Sequence, residues 1–368
     1  MLIEALAAVM PSANAAFAIE TITVDPPRAG EVLVDVKAVG ICHSDLVMVS
    51  GGFGNAFPAV FGHEGAGVVL EVGPGVTKVG PGDKVLLTFN SCGACARCRD
   101  DDPSYCHHFT ALNMACARAD GSSRLHKDGH DIADNFFGQS SFASRAIAGE
   151  RNIVKLAPDA DLATLAPLGC GIQTGVGAVL RSLSAKAGQS LVVIGGGSVG
   201  LSALLGGKIA GCAPIILVEP QASRRTLAQS LGADHVIDPG AGDLAGAIRA
   251  ILPDGADLVA DSSGYVPVVT SAINILSNKG KLGLIGLPGA LDAALPVPII
   301  QWITIGGTVR GIVEGDSDPD TFLPELIAHH AAGRLPFDRF VTTHPFAEIN
   351  QAIADAHSGK SIKVVLTF

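Results

Sequence analysis

Four cysteines fall within fifteen residues: Cys92, Cys95, Cys98 and Cys106. The two-residue gaps of Cys92-Gly-Ala-Cys95-Ala-Arg-Cys98 let a backbone turn around one ion, and four thiolates with no open position are the donor set of structural zinc. An iron–sulfur cluster also takes four thiolates, but its common spacings differ in the last gap and often end in Cys-Pro, which is absent here. The expected work of the segment 92–106 is to fix a loop with little core of its own.

A second, dispersed set lies in Gly40-Ile41-Cys42-His43-Ser44-Asp45, Gly62-His63-Glu64-Gly65 and Pro167-Leu168-Gly169-Cys170-Gly171. Singly each is weak, because a free cysteine is usually a small buried hydrophobe and a lone histidine a satisfied core residue. Together Cys42, His63 and Cys170 could make a site of two thiolates and one imidazole with a fourth position open to water or substrate. Glu64 could then be a base just behind the ligands or a transient ligand, and Asp45 could accept the outer N–H of His63; the plain alternative for both is a surface carboxylate.

A third constellation is Gly195-Gly196-Gly197-Ser198-Val199-Gly200. In a chain with 45 glycines such a run is weak by itself. Its flanks supply the required context: the apolar strand Val192-Val193-Ile194 before it, a helix after it, and Glu219 nineteen residues beyond Gly200. The glycines let a pyrophosphate approach the helix N-terminus, and Glu219 would hydrogen-bond the adenosine ribose. A carboxylate there repels a 2′-phosphate, which favours NAD over NADP; Arg224 and Arg225 nearby weigh the other way.

Elements of two kinds must position these groups. The first 150 or so residues are short β-rich runs such as EVLVDVKAVGIC and GHEGAGVVLEVG, separated by Gly, Pro and Asp. From about Leu165 strands and helices alternate. Strands are expected at 190–194, 215–218, 235–238, 258–261, 281–285 and 308–311, and helices at 198–210, 223–231, 243–252 and 266–276. That rhythm implies an α/β fold with a doubly wound parallel sheet beside a β-rich domain. A helix over 321–331 follows, then a strand, helix and strand whose last member has no place in the parallel sheet and is assigned back to the first domain.

The chain has 368 residues, about two domains by the usual length prior. Its net charge is −10, and no basic run offers a track for phosphates, so nucleic acid is not an expected partner. The opening MLIEALAAVMPSANAAFAIE carries its first charge at Glu4 and reads as strand, turn and strand rather than a secretory leader. No uninterrupted apolar segment reaches membrane-spanning length. The expectation is a cytoplasmic protein with no membrane partner, in which clustered thiols hold metal rather than disulfides.

GICHSD, GHEGAGVV, CxxCxxC…C, GCG and GGGSVG occur here in the order found in the zinc-dependent alcohol dehydrogenases of the medium-chain dehydrogenase/reductase superfamily. The chain resembles that family over essentially its whole length, and most of all its aryl-alcohol branch. The resemblance implies a GroES-like catalytic domain over 1–171 and 312–368 and a Rossmann NAD-binding domain over 172–311, the cleft between them holding nicotinamide and substrate. It implies two Zn2+ per chain, a catalytic one on Cys42, His63 and Cys170 and a structural one on the four clustered cysteines. Asp45 and Glu64 would stand beside the catalytic ion, and Ser44 would take the alcohol proton. His43 and Lys363 would lie near the cofactor pyrophosphate and Arg224 near its ribose, with Gly195, Gly197, Ser198, Val199, Gly200 and Glu219 as further cofactor contacts. Phe53, Phe89, Leu112, Phe136 and Phe137 would line the substrate channel, and Trp302 a subunit contact.

One departure stands out. Many members carry a histidine five residues after the first zinc-binding cysteine to pass the proton to solvent; here that residue is Val47. The function implied is reversible oxidation of a primary aryl or allylic alcohol to an aldehyde by hydride transfer to NAD, in a homo-oligomer. The alternatives are a medium-chain or ω-hydroxy aliphatic alcohol, the glutathione-dependent formaldehyde branch, and a non-catalytic NAD-binding redox sensor. Cys116 and Cys212 are read as ordinary buried thiols.

Overall fold

A computed structural model describes residues 3–51, 54–290 and 292–368. The chain divides into two compact units: Met1–Cys170 with Asp318–Glu325 and Asp338–Phe368, and Gly171–Ser317 with Leu326–Phe337.

In the first unit β1 (Ile3–Val9) and β2 (Ala18–Val24) form the expected antiparallel hairpin. The longest strand, β3 (Glu31–Ile41), pairs along one edge with β4 (Glu64–Val72), which in turn carries β5 (Lys84–Leu87). β6 (Leu125–Lys127) and β7 (His130–Ile132) extend the hairpin sheet. β8 (Arg145–Gly149) pairs with the first half of β3, and β9 (Ile153–Lys155) with β5. Because β3 is flanked on both edges it is buried nearly end to end, and its VLV and AVGI runs have no solvent face to alternate with.

The second unit is a six-stranded parallel sheet: β10 (Leu191–Ile194), β11 (Ile215–Val218), β12 (His235–Ile237), β13 (Ala256–Asp261), β14 (Leu276–Leu284) and β15 (Thr308–Gly311), in the order β12-β11-β10-β13-β14-β15. The order reverses between β10 and β13, the switch point at which doubly wound sheets bind ligands. LVVI and IILV are fully buried, as strands covered on both faces must be. The helices Ser198–Ala210, Ala222–Leu231, Leu244–Ile251 and Val266–Asn274 fall where the apolar periodicity places them, and Asp243 caps the third by accepting from Gly246 N.

One boundary differs. The helix expected to reach 276 stops at Asn274, and β14 begins at Leu276 rather than Lys281. Lys279 is left-handed (φ 65°) and the pairing with β13 slips between Ala256 and Leu258, so the Ser-Asn-Lys-Gly stretch that reads as a turn is a bulge inside a strand.

After the helix Pro319–Ala331, β16 (Val341–Pro345) and β17 (Lys363–Thr367) join the first unit's sheet. β17 pairs antiparallel with the second half of β3, Val364 opposite Ile41, so the final strand completes the β-rich unit as expected. No single helix among the described residues is long and apolar enough to cross a membrane.

Candidate active site

β3 ends at Ile41 and Cys42 follows as the N-cap of the helix His43–Val49. Asp45, fully buried in the first turn of that helix, accepts from Cys42 N (2.9 Å), from Gly62 N (3.0 Å) and from Nδ1 of His63 (2.9 Å). One carboxylate therefore sets both the chain reversal at Cys42 and the ring of His63. His63 stands just before β4, and Cys170 follows a 3-10 turn (Ala166–Gly169) whose Gly169 carbonyl accepts from the Thr88 hydroxyl at 2.7 Å. The ligand atoms of Cys42, His63, Glu64 and Cys170 all lie within 4.8 Å of one another.

The donor set fits a cation. Nε2 of His63 is buried without a hydrogen-bond partner, with Cys42 alongside. A hydrogen bond from Cys170 holds the Cys42 thiol well below the ordinary thiol range, against the cost of burial. Burial opposes a charged His63, yet the Asp45 carboxylate lifts its pKa well above the ordinary value. Burial pushes Glu64 up to about 7, although the Lys363 amine pulls the other way. Two soft sulfur donors, an oriented imidazole and a carboxylate gathered within 4.8 Å form a zinc-type site.

Glu64 owes its place to a missing side chain. A Cβ on Gly40, its cross-strand partner, would stand 1.9 Å from Glu64 Oε2. The carboxylate is met by Lys363 Nζ at 2.6 Å, and the same amine donates to the Ile41 carbonyl at 3.0 Å.

The second cysteine group is equally compact. Sγ of Cys92 and Cys98 are 3.9 Å apart, Cys95 and Cys98 3.6 Å, and Cys95 and Cys106 3.9 Å. Those separations match the edges of a tetrahedron with metal–sulfur bonds of about 2.3 Å. Backbone N–H groups of Ala94 and Cys95 donate to Cys92, and those of Cys92 and His108 to Cys106, bonds that would disperse thiolate charge around a bound ion.

In the second unit a cavity of about 560 Å³ opens at the switch point, lined among others by Gly195, Gly196, Gly197, Glu219 and Arg224. A Cβ on Gly200 would lie 1.8 Å from the Gly195 carbonyl, so only glycine lets helix and turn close together. The Ser198 hydroxyl and Arg224 Nε are buried beside this turn without partners, polar groups suited to phosphate and ribose.

The comparisons with known proteins agree with this chemistry. Residues 28–158 match the alcohol dehydrogenase GroES-like domain and residues 198–328 the zinc-binding dehydrogenase domain. The chain is 45% identical over its whole length to the geraniol dehydrogenase of Castellaniella defragrans, covering 98% of that protein. The chain belongs to the zinc-binding alcohol dehydrogenases. Among solved structures, a benzyl alcohol dehydrogenase from Acinetobacter calcoaceticus superimposes over all of both chains with a TM-score of 0.96 at 37% identity. An alcohol dehydrogenase zinc-binding domain protein from Burkholderia ambifaria does so with 0.98 at 44%.

Against this family frame, the structure brings Cys42, Asp45, His63, Glu64 and Cys170 together and places Ser44 half-buried two residues beyond Cys42. His43 is exposed on the same helix, and with Val47 and His357 it borders a groove of about 380 Å³. Lys363 lies deep in the first unit. Expected near a pyrophosphate, it is 2% exposed, and its amine is held by Glu64 and Ile41 because β17 runs beside the end of β3. Glu219 is also tied internally, its two oxygens accepting from Gly196 N (2.6 Å) and Gln221 N (2.8 Å). Arg225 turns away to the Glu219 and Pro220 carbonyls and to Asp238, whereas Arg224 faces the cavity. Val199 and Gly200 lie within the helix that the turn leads into.

The aromatic expectations divide. Phe137 stacks on the His63 ring, centroids 4.4 Å apart and planes 25° apart, and Phe136 meets the same ring edge-on at 5.1 Å. Phe89 is fully buried against Phe109, Leu112 is half-buried, and Phe53 lies outside the described residues. Sequence reasoning missed Phe109, which bridges Phe89 and Phe137, and Gln139, whose amide donates to the His63 carbonyl (2.8 Å) while its oxygen accepts from Gly65 N (3.1 Å). Neither carries a motif, and only a contact in space gives them a place.

Proposed function

We propose that this alcohol dehydrogenase is zinc- and NAD-dependent and reversibly oxidises a primary aryl or allylic alcohol to its aldehyde. The observation that carries the reading is the stacking of Phe137 on a His63 whose Nε2 lies among two cysteines and a carboxylate. When bound, zinc supplies Lewis acidity at the alcohol oxygen and NAD accepts the hydride.

The chain's own residues do the rest. Cys42, His63 and Cys170 would hold the catalytic ion, and Asp45 keeps Nδ1 of His63 protonated so that Nε2 is the donor atom. The Ser44 hydroxyl would receive the alcohol proton, and Val47 cannot pass it on, so the proton leaves by another group or by water. The four clustered cysteines would hold the structural ion. Gly195, Gly197 and Ser198 would meet the pyrophosphate, with Glu219 and Arg224 at the adenosine ribose. Phe137, with Phe136 packed behind it, would give the substrate an aromatic wall that rewards a flat or unsaturated group. The names of the geraniol and benzyl alcohol dehydrogenases among its relatives support that class.

The exposed Ile299, Ile300 and Ile303 of the helix Ile299–Ile305, 70% exposed or more, support assembly as a homo-oligomer through the second unit. The reading keeps residues 1–171 and 312–368 as the catalytic domain and 172–311 as the NAD-binding domain, and places the enzyme in the cytoplasm.

The test is the ratio of kcat/KM for benzyl or cinnamyl alcohol to that for ethanol, with NAD and with NADP, on zinc-replete protein. A ratio far above one with NAD supports the reading. Preference for short alcohols discards the aryl and allylic class, and preference for NADP discards the role given to Glu219.

A further inference from the structure

The turn that brings Phe137 to His63 has an unusual backbone. Asn135 (φ 68°), Phe137 (φ 50°), Gly138 (φ 70°) and Ser140 (φ 54°) are all left-handed. Asparagine tolerates that region, but phenylalanine and serine seldom enter it, and such residues persist only where their surroundings over-determine them. All lie in the interior: Asn135 is 6% exposed and Phe137 5%.

Much of the constraint comes from one side chain, with Asn152 Nδ2 adding longer bonds to the Phe137 (3.4 Å) and Gly138 (3.3 Å) carbonyls. Nη1 of Arg124 donates to Oδ1 of Asn135, to the Gly138 carbonyl (3.1 Å) and to the Ile147 carbonyl (3.0 Å). Asn135 donates in turn to the Ala117 carbonyl at 2.6 Å. The Ser140 hydroxyl receives Phe136 N (2.9 Å) and donates to the Val60 carbonyl (2.7 Å), tying the far end of the turn to the strand entry before His63. A guanidinium anchored on Glu31 thus grips both sides of the two phenylalanines that touch the His63 ring.

We infer that Asn135, anchored by Arg124, is a positioning residue of the active site: it holds the Phe136–Phe137 turn in its left-handed form and so keeps Phe137 stacked on His63. Releasing the turn frees the Phe137 ring, and with it both the aromatic wall and the orientation of the His63 imidazole. The inference rests on His63 being a ligand of the catalytic metal.

The experiment compares Asn135→Gly and Asn135→Asp with the parent enzyme, after replacing zinc by cobalt(II) and recording the visible spectrum alongside kinetics. Glycine adopts the left-handed conformation freely but removes both anchoring bonds, so a change reports anchoring rather than backbone strain. Expected for Asn135→Gly is a shift of the cobalt bands and a rise of about fivefold in KM for benzyl alcohol, the size of one aromatic contact. Asn135→Asp keeps the acceptor for Arg124, and its spectrum should stay close to the parent's. If Asn135→Gly does not fold, a parent-like spectrum for Asn135→Asp together with a shifted one for Arg124→Lys supports the same conclusion. A lower melting temperature with unchanged bands and unchanged KM makes Asn135 a purely structural residue and overturns the inference. A His63→Ala enzyme whose whole cobalt spectrum matches the parent's, with no band lost or moved beyond those of the four-cysteine site, shows instead that the metal-ligand reading itself has failed.

Discussion

The Lys363 amine and the Glu64 carboxylate form an ion pair at 2.6 Å, both side chains within 2% of complete burial. The two residues are 299 positions apart and meet because β17 lies beside β3, whose Gly40 is paired with Glu64. Burial opposes a charge on Lys363, but the facing Glu64 lifts its pKa above the ordinary lysine value.

Removing one member of such a pair strands the other in the interior. Lys363→Met should therefore lose about 3–5 kcal/mol of stability, and adding Glu64→Gln should return part of it. Urea denaturation of the two variants decides the matter; a Lys363→Met protein as stable as its parent would show that the pair is not closed in solution.

The four-cysteine lobe has little core, with Cys92, Cys95 and Cys98 only half-buried. Cys98→Ser should lower the metal content by about one ion per chain and lower the melting temperature, leaving the other ion in place. Elemental analysis reads this directly, and an unchanged metal content would remove the structural-zinc reading.

Acid sensitivity should run through Glu31. Burial opposes its charge, but a bidentate contact from Arg118 and the charge of Arg124 bring its pKa below the ordinary 4.5. Arg118 also holds Asp25, and Arg124 lies beside Asp134, whose own pKa is raised by burial. A carboxylate with a lowered folded pKa contributes stability above the unfolded value and loses it as pH falls through the folded one. Glu31→Gln should then destabilise the protein at pH 7 and much less near the acid end of its range. Equal destabilisation at both pH values in urea titrations would assign the acid limb elsewhere.

Phe137 supplies a face to His63 and a wall to the substrate reading. Replacing it by alanine should lower kcat/KM for benzyl-type alcohols by about fivefold more than for short aliphatic ones. An equal loss for both classes would sink the pocket assignment.

The isoleucines Ile299, Ile300 and Ile303 share one exposed patch on a helix whose Trp302 packs inward on the second unit's core. Ile300→Glu should shift the parent's oligomer toward a smaller species in light scattering, and an unaltered mass would place the contact elsewhere.

Much of this was legible in the residues themselves. Cys92 to Cys106 lie close enough along the chain for spacing alone to define a site, and the Gly195–Gly200 turn is bounded by a strand and helix whose periods differ. The parallel sheet follows from alternating buried strands and amphipathic helices, because local burial patterns carry that information. The bulge at Lys279 escaped because Ser-Asn-Lys-Gly has the composition of a turn whether or not the strand continues past it. The meeting of Cys42, His63 and Cys170 was an inference from family order, since nothing in a linear spacing of more than a hundred residues specifies distance.

What only the tertiary structure decided is which groups are already engaged. Lys363 and Glu219 are charged side chains that sequence reasoning offers to a ligand, yet each is held by the protein's own donors or acceptors. Arg124, Asn135 and Gln139 belong to no motif, yet Gln139 holds the His63 backbone and the other two brace the turn that carries Phe137 onto its ring. The reason is physical: a motif records residue type and separation along one chain. Hydrogen-bond saturation and ring contacts instead depend on which strands become neighbours, and that is settled by packing across the whole fold.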